Sequence, residues 1–131
     1  MEKVLLFEAE DDQIAAELAA NMRIRLERIP KEQYGQLLHH LVKGTLDMSV
    51  SPYEGEPLGG SMVVFCDLTE KHLDRFLFGL RTRGAAIRHK AVLTKTNRGW
   101  TPLVLYRELE RERTAYEASA KSAAVCATRE P

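Results

Sequence analysis

Two short apolar runs constrain this chain more than anything else in it. Val4–Phe7 and Met62–Cys66 are apolar at every position, without the alternation of a half-exposed strand. Successive strand residues point to opposite faces of a sheet, so runs of this kind call for cover on both faces. Two other stretches do alternate. Ile24 and Leu26 are interleaved with Arg23, Arg25 and Glu27, and Ile87 to Leu93 mixes Arg88, His89 and Lys90 with apolar residues. That pattern belongs at sheet edges.

Helical periodicities fill the intervals. Ile14, Leu18 and Met22 follow the first apolar run, and a second helix is predicted from Pro30 to Gly44 with Tyr34, Leu37, Leu38, Leu41 and Val42 on one face. Leu73, Phe76, Leu77 and Leu80 form the cleanest stripe, stopped by Gly84. Thr101 and Pro102 read as N-cap and first residue of a last helix, with Leu105, Tyr106, Leu109 and Tyr116 facing inward. Asp67 or Thr69 caps the third helix, and Asp67 with Glu70 has capping-box spacing.

Four strands alternating with four helices predict an α/β domain: a four-stranded, mostly parallel sheet of order 2-1-3-4 with helices on both faces. A ferredoxin-like α+β sheet is the alternative, but it leaves one face open and has no use for a helix at 31–43. The two halves echo one another as apolar strand, acidic turn, amphipathic helix and alternating strand. Residues 1–118 are read as one domain and residues 119–131, rich in Ala, Ser and Lys, as a frayed tail. Residues 45–60 hold Pro52, Pro57, Gly55, Gly59 and Gly60 without periodicity. They predict a long loop, more consistent with disorder than with packing.

Nineteen basic residues balance nineteen acidic ones, so no overall field recruits nucleic acid or a membrane surface. No apolar run is long enough to span a bilayer, and the first residues lack the features of a signal peptide. Cys66 and Cys126 are too few and too far apart for a disulfide framework, which points to a reducing cytoplasmic setting.

The segment from Lys90 to Trp100 carries the most chemistry. Between the last strand and the Thr101 cap lie Thr94, Lys95, Thr96, Asn97 and Arg98, more hydrogen-bonding capacity than a connection needs. Amides, hydroxyls and cations in one loop suit a phosphate or carboxylate. The candidate binding residues are Lys90, Thr94, Thr96, Asn97, Arg98 and Trp100. The competing reading is a structural loop in which Thr96 or Asn97 bonds back to the backbone and Trp100 anchors the packing. Glu8, Glu10, Asp11 and Asp12 place four acids within five positions. With Asp67 and Thr94 at later strand ends they suggest a degenerate receiver-like or metal-dependent phosphotransfer domain using Asp11, Asp12 and Asp67. Adjacent His39 and His40 diverge by about 100° on a helix and cannot share a metal, and His72 and His89 have no ligand partner at useful spacing. No catalytic residue, metal site or cofactor motif is assigned, and Cys66 reads as a core residue.

The run Lys90-Ala91-Val92-Leu93-Thr94-Lys95-Thr96-Asn97-Arg98-Gly99-Trp100-Thr101, with Met62–Phe65, Leu73–Leu80 and Gly84 upstream, resembles a small bacterial family known as domain of unknown function 3783. Residues 1–43 are similar more loosely, through their strand, helix and strand and Tyr34-Gly35-Gln36. The resemblance implies an α/β fold and no activity. Its members often carry glycine after the first and third strands, where this chain has Glu8 and Asp67. The function expected is therefore a small non-enzymatic binding or regulatory module, in which the Thr94–Trp100 loop holds a small anionic ligand or an acidic protein partner. An edge strand leaves a homodimer open.

Overall fold

The computed structural model describes residues 2–9 and 12–129, with side chains through residue 115. Its element order is β1 (Lys3–Phe7), α1 (Asp12–Met22), β2 (Arg25–Arg28), a 3₁₀ turn (Lys31–Gln33), α2 (Leu38–Lys43), β3 (Met62–Cys66), α3 (Glu70–Thr82), β4 (His89–Val92), a second 3₁₀ turn (Asn97–Gly99) and α4 (Pro102–Arg129). The sheet order is β2-β1-β3-β4. β1 and β3 lie at the centre and are buried at every position. The ferredoxin-like order is excluded.

The outer pairs β1–β2 and β3–β4 are parallel, while the central pair β1–β3 is antiparallel, with Leu5 opposite Val64. The two halves are arranged as one unit repeated about the middle of the sheet. Each half is strand, helix, parallel edge strand, 3₁₀ turn, helix. Each central strand ends on a residue in the left-handed region, Glu8 at φ 51° and Asp67 at φ 60°. Each first helix closes on another, Arg23 at 58° and Gly84 at 71°. The next amide then bonds back, Ile24 N to Ala19 O at 2.8 Å and Ala85 N to Leu80 O at 2.9 Å. Each edge strand is finally tied to its central strand, Ile29 N to Leu6 O and Leu93 N to Phe65 O, both at 2.9 Å.

Alternation along the central strands builds two cores. Val4, Leu6, Val63 and Phe65 face α1 and α3, with Ala15, Ala19, Phe76 and Leu80. The small Ala15 and Ala19 are the most deeply buried residues of α1, with Ile14, Leu18 and Met22 flanking them, because α1 lies close on α3. A Cβ on Gly79 would stand 2.5 Å from Leu18 Cδ2. Leu5, Phe7, Met62, Val64 and Cys66 face the other way, against Tyr34, Leu38, Leu41, Leu105 and Tyr106.

The helix expected at 31–43 is broken into the 3₁₀ turn and α2. Tertiary partners cause the break: Leu38 N bonds Trp100 O at 2.8 Å, and Gln36 exchanges two hydrogen bonds with the backbone of Asp47. The expectation of a disordered 45–60 also fails. Tyr53 N bonds Glu32 O, Tyr53 and Leu58 pack on the core, and the Leu58 amide donates to Glu8. The segment is a strap laid over the α2–α4 face. β2 and β4 are shorter than their alternation suggests, since Arg23 closes α1 instead of entering β2. Thr69, not Asp67, caps α3, accepting from His72 N at 3.1 Å. The side chains of Tyr116 and Cys126 lie outside the described residues, while the backbone of α4 continues through the expected tail as far as Arg129.

The left-handed turn at Glu8 and Asp67 is the one glycine would serve, but the two acids occupy it differently. Glu8 accepts from Tyr34 Oη and from the amides of Leu58 and Gly59, whereas Asp67 makes no side-chain hydrogen bond among the described residues. Left-handed φ costs a residue with a Cβ about 1–2 kcal/mol, part of which glycine returns through unfolded-state entropy. Asp67→Gly should therefore stabilise the fold by roughly 0.5–1 kcal/mol, and Glu8→Gly should destabilise it by about 1–2 kcal/mol. Paired urea melts compare the two, and equal signs would refute the distinction.

Candidate functional site

The Thr94–Trp100 loop begins where β4 ends, at the end of the sheet marked by Cys66 and Lys3. Its shape is set from within. Thr94 N donates to Asn97 Oδ1 at 2.8 Å, and Asn97 N donates back to Thr94 Oγ1 at 3.1 Å, a reciprocal box across three residues. Asn97 Nδ2 reaches Val92 O at 3.0 Å, so the buried amide uses both ends. Trp100 is half-buried on the core, with its amide bonded to Asn97 O and its carbonyl accepting from Leu38 N. Thr101 caps α4 through Val104 N at 3.3 Å, with Pro102 as first residue, as the sequence predicts.

The six candidate residues therefore divide. Asn97 is occupied with the loop itself, and Thr94 supplies its half of the box. Trp100 is an anchor. Thr96 and Arg98 remain exposed. Lys90 is in register with Val63 and points to the α1–α3 side, away from the face that carries α2. The loop and Lys90 do not form one cluster.

The structure instead brings α2 beside the loop. The His39 and His40 rings lie 4.0 Å apart, and His39 is held below the ordinary histidine pKa, first by burial and then by the charges of His40, Lys43 and Arg98. The Nδ1 of His40 is buried without a hydrogen-bond partner among the described residues. None of His39, His40, Lys43 or Arg98 forms an ion pair there. Asp47 is the carboxylate that senses His40, and its charge is already held by Ser49 N and Oγ. Sequence distance hid this patch, because α2 and the loop lie more than fifty residues apart.

The acidic constellation disperses. Since β1 and β3 are antiparallel, residues after their C-terminal ends sit at opposite ends of the strands, about 17 Å apart for five residues at roughly 3.4 Å each. Asp12 pairs with Arg28 Nε at 2.6 Å, and Asp67 lies at the far end. Asp11 is outside the described residues. Asp12 and Asp67 cannot share one metal ion, and no three His, Cys, Asp or Glu side chains among the described residues converge on a metal position. Burial pushes the Cys66 thiol up to about 12, so it is no nucleophile at neutral pH. His72 Nδ1 and Thr69 N hold Glu2, whose carboxyl they lower.

Comparison with known families now decides one point. The family model described as Domain of unknown function (DUF3783) matches residues 61–116. Over that segment the chain is similar to DUF3783. The DUF3783 match starts beside β3 and takes in α3, β4, the loop and the described side chains of α4, so it covers the second of the two repeats. The first repeat packs against that DUF3783 segment along the β1–β3 pair and contributes His39, His40 and Lys43. No curated protein matches the chain, and no solved structure does. No described helix is long and apolar enough to cross a membrane.

At the opposite end of the sheet lies a second group that sequence reading missed. Arg88 grips Glu110 with two hydrogen bonds, at 2.7 and 2.8 Å, and Tyr106 Oη donates to the same carboxylate at 3.1 Å. These donors hold the Glu110 carboxyl down to about 2. His89 Nε2 stands 3.4 Å from Glu110 Oε2, and the ring is only 6% exposed. The available signal was a histidine at an inward position of an edge strand, which alternation made legible without naming its partner.

Proposed function

We propose that the protein is a small non-enzymatic binding or regulatory module that holds an anionic ligand or an acidic protein partner against the surface made by Arg98 and α2. The observation that supports it is the convergence of Arg98, Lys43, His39 and His40 without an ion pair among the described residues, on a loop fixed by its own hydrogen bonds. A preorganised platform loses little freedom when a partner binds, and uncompensated cations at its rim favour anions. Thr94, Asn97 and Trp100 act in this reading as the frame, and Thr96 and Arg98 as the contact.

Trp100 is the single tryptophan of the chain and sits at the edge of this surface, so its fluorescence reports directly. Titration with an acidic peptide and with inorganic phosphate should shift the emission, with affinity falling as salt rises. Arg98→Ala and Lys43→Ala should each weaken binding by about three- to tenfold while changing stability by under about 0.5 kcal/mol. An anion would raise the His39 pKa, so binding takes up a proton and tightens as pH falls through and below the histidine range. A response indifferent to salt, to pH and to both substitutions would refute the proposal.

A further inference from the structure

We propose that β2 is an assembly edge: a second copy of this chain pairs with it antiparallel, the two Leu26 residues opposite one another, and the sheet continues through both copies. The pairing uses no residue of the surface proposed above and stands independently of it.

The two outer strands are finished differently. Ile29 N bonds Leu6 O and Leu93 N bonds Phe65 O, so the odd-numbered residues of β2 and β4 turn their N–H and C=O inward and the even-numbered ones outward. On β4 the outward row is largely filled. The Asn97 amide accepts from Thr94 N and donates to Val92 O, as a neighbouring strand would, and Arg113 donates to Arg88 O. Asn97 thereby closes that edge to further strands. The shared tie to the central strand aligns Pro30 with Thr94, and Gln33 with Asn97, in the first half of the chain. Pro30 has no N–H to cap, and the Gln33 side chain makes no hydrogen bond among the described residues. The outward N–H and C=O groups of Leu26 and Arg28 have no partner there either.

Charge then selects the occupant. Outward groups must meet outward groups, so the possible antiparallel registers differ by steps of two residues. Shifted one way from Leu26, the two Arg25 side chains meet; shifted the other way, the two Glu27 side chains do. Centred on Leu26, each Arg25 stands opposite Glu27 of the second copy, and the Leu26 pair exchanges both N–H···O bonds. Opposite charges directly across a strand pair stabilise it, and like charges disfavour the neighbouring registers. Arg25 is exposed and forms no ion pair among the described residues. Glu27 meets Lys3 at 3.2 Å through Oε2, which leaves Oε1 for the arginine, and Lys3 is also held by Val42 O. A cleft of about 210 Å³ beside Glu27, bordered by Pro30, Gln33 and Gly44, gives the guanidinium room. On the other face of the sheet Arg28 is already paired with Asp12, and it falls opposite the apolar Ile24 of the second copy.

Sedimentation of the full chain across a concentration series reads the assembly. A dimer should grow in as concentration rises, and it should be weak, because a strand of 4 residues buries little surface. Arg25→Glu sets carboxylate against carboxylate and should weaken dimerisation at least about tenfold, and Glu27→Arg should do the same with two cations. Mixing these two variants should restore a dimer that contains one of each, since every cross-strand pair is again opposite in sign. Leu26→Pro removes an N–H that β1 does not use, so it should prevent dimerisation while the monomer stays folded. This variant carries the test if Glu27→Arg, having lost its contact with Lys3, does not fold. A monomer at every concentration would overturn the proposal. So would a dimer that Arg25→Glu and Leu26→Pro both leave intact, or a mixture of the two folded charge variants that stays monomeric.

Discussion

Replacing Tyr34 with alanine should cost about 3–5 kcal/mol, the range for deleting a large buried aromatic ring, and lower the melting temperature by roughly 10–18 °C. Tyr34 is 1% exposed and is the largest fully buried side chain among the described residues. Its ring lies 6.0 Å from those of Phe7 and Tyr53, joining the central strand to the strap. Its hydroxyl donates to Glu8 at 2.9 Å, and burial together with that carboxylate puts its deprotonation far above the ordinary tyrosine range. Tyr34→Phe keeps the ring and should lose only about 1 kcal/mol. The alanine variant should also free residues 45–60, detected as faster proteolysis within the strap under native conditions. If both variants lost the same stability, the hydroxyl and not the packed ring would be the main tie. If the strap stayed protected in the alanine variant, Tyr53 and Leu58 would suffice to hold it.

Asn97→Ala should cost about 2–3 kcal/mol, or roughly 7–11 °C, far more than an exposed loop residue usually does. The side chain is 7% exposed and answers two backbone groups, the Thr94 amide and the Val92 carbonyl. Alanine would leave both without a partner in a site too enclosed to hydrate them freely, and unsatisfied groups cost more than a hydrogen bond contributes. Asn97→Asp retains the acceptor but loses the donor to Val92, so it should fall between wild type and alanine. Trp100 fluorescence of the folded variant should change as well, since the Asn97 carbonyl holds the Trp100 amide. A loss below about 0.5 kcal/mol would mean that the 3₁₀ turn holds its shape without the side chain.

These two residues show what could be read in advance. Asn97 was visible as one of several polar residues in a loop, because asparagine bonds readily to nearby backbone. Its choice between ligand and scaffold was not visible, because that depends on burial and on the position of the Val92 carbonyl. Tyr34 was assigned to the apolar face of a continuous helix. It is indeed core, but in a turn, since Glu8, Asp47 and Trp100 supply partners that outweigh local helical preference. The acids after β1 and β3 mark the sharpest difference. Strand periodicity says nothing about strand direction, so Asp12 and Asp67 looked like neighbours until the antiparallel central pair separated them.

The sequence by itself determined the layers, the burial of β1 and β3, the edge positions of β2 and β4, and the Thr101–Pro102 start of α4. Those properties are local or periodic: they follow from which side chains must leave water and how often they recur along the chain. Only the tertiary structure decided the direction of the central pairing, the fastening of the strap by Glu8 and Tyr34, the meeting of α2 with Arg98, and the gathering of Arg88, Tyr106 and His89 around Glu110. Each of these joins groups distant in sequence. Their energies depend on distance, burial and orientation, which residue order alone does not specify.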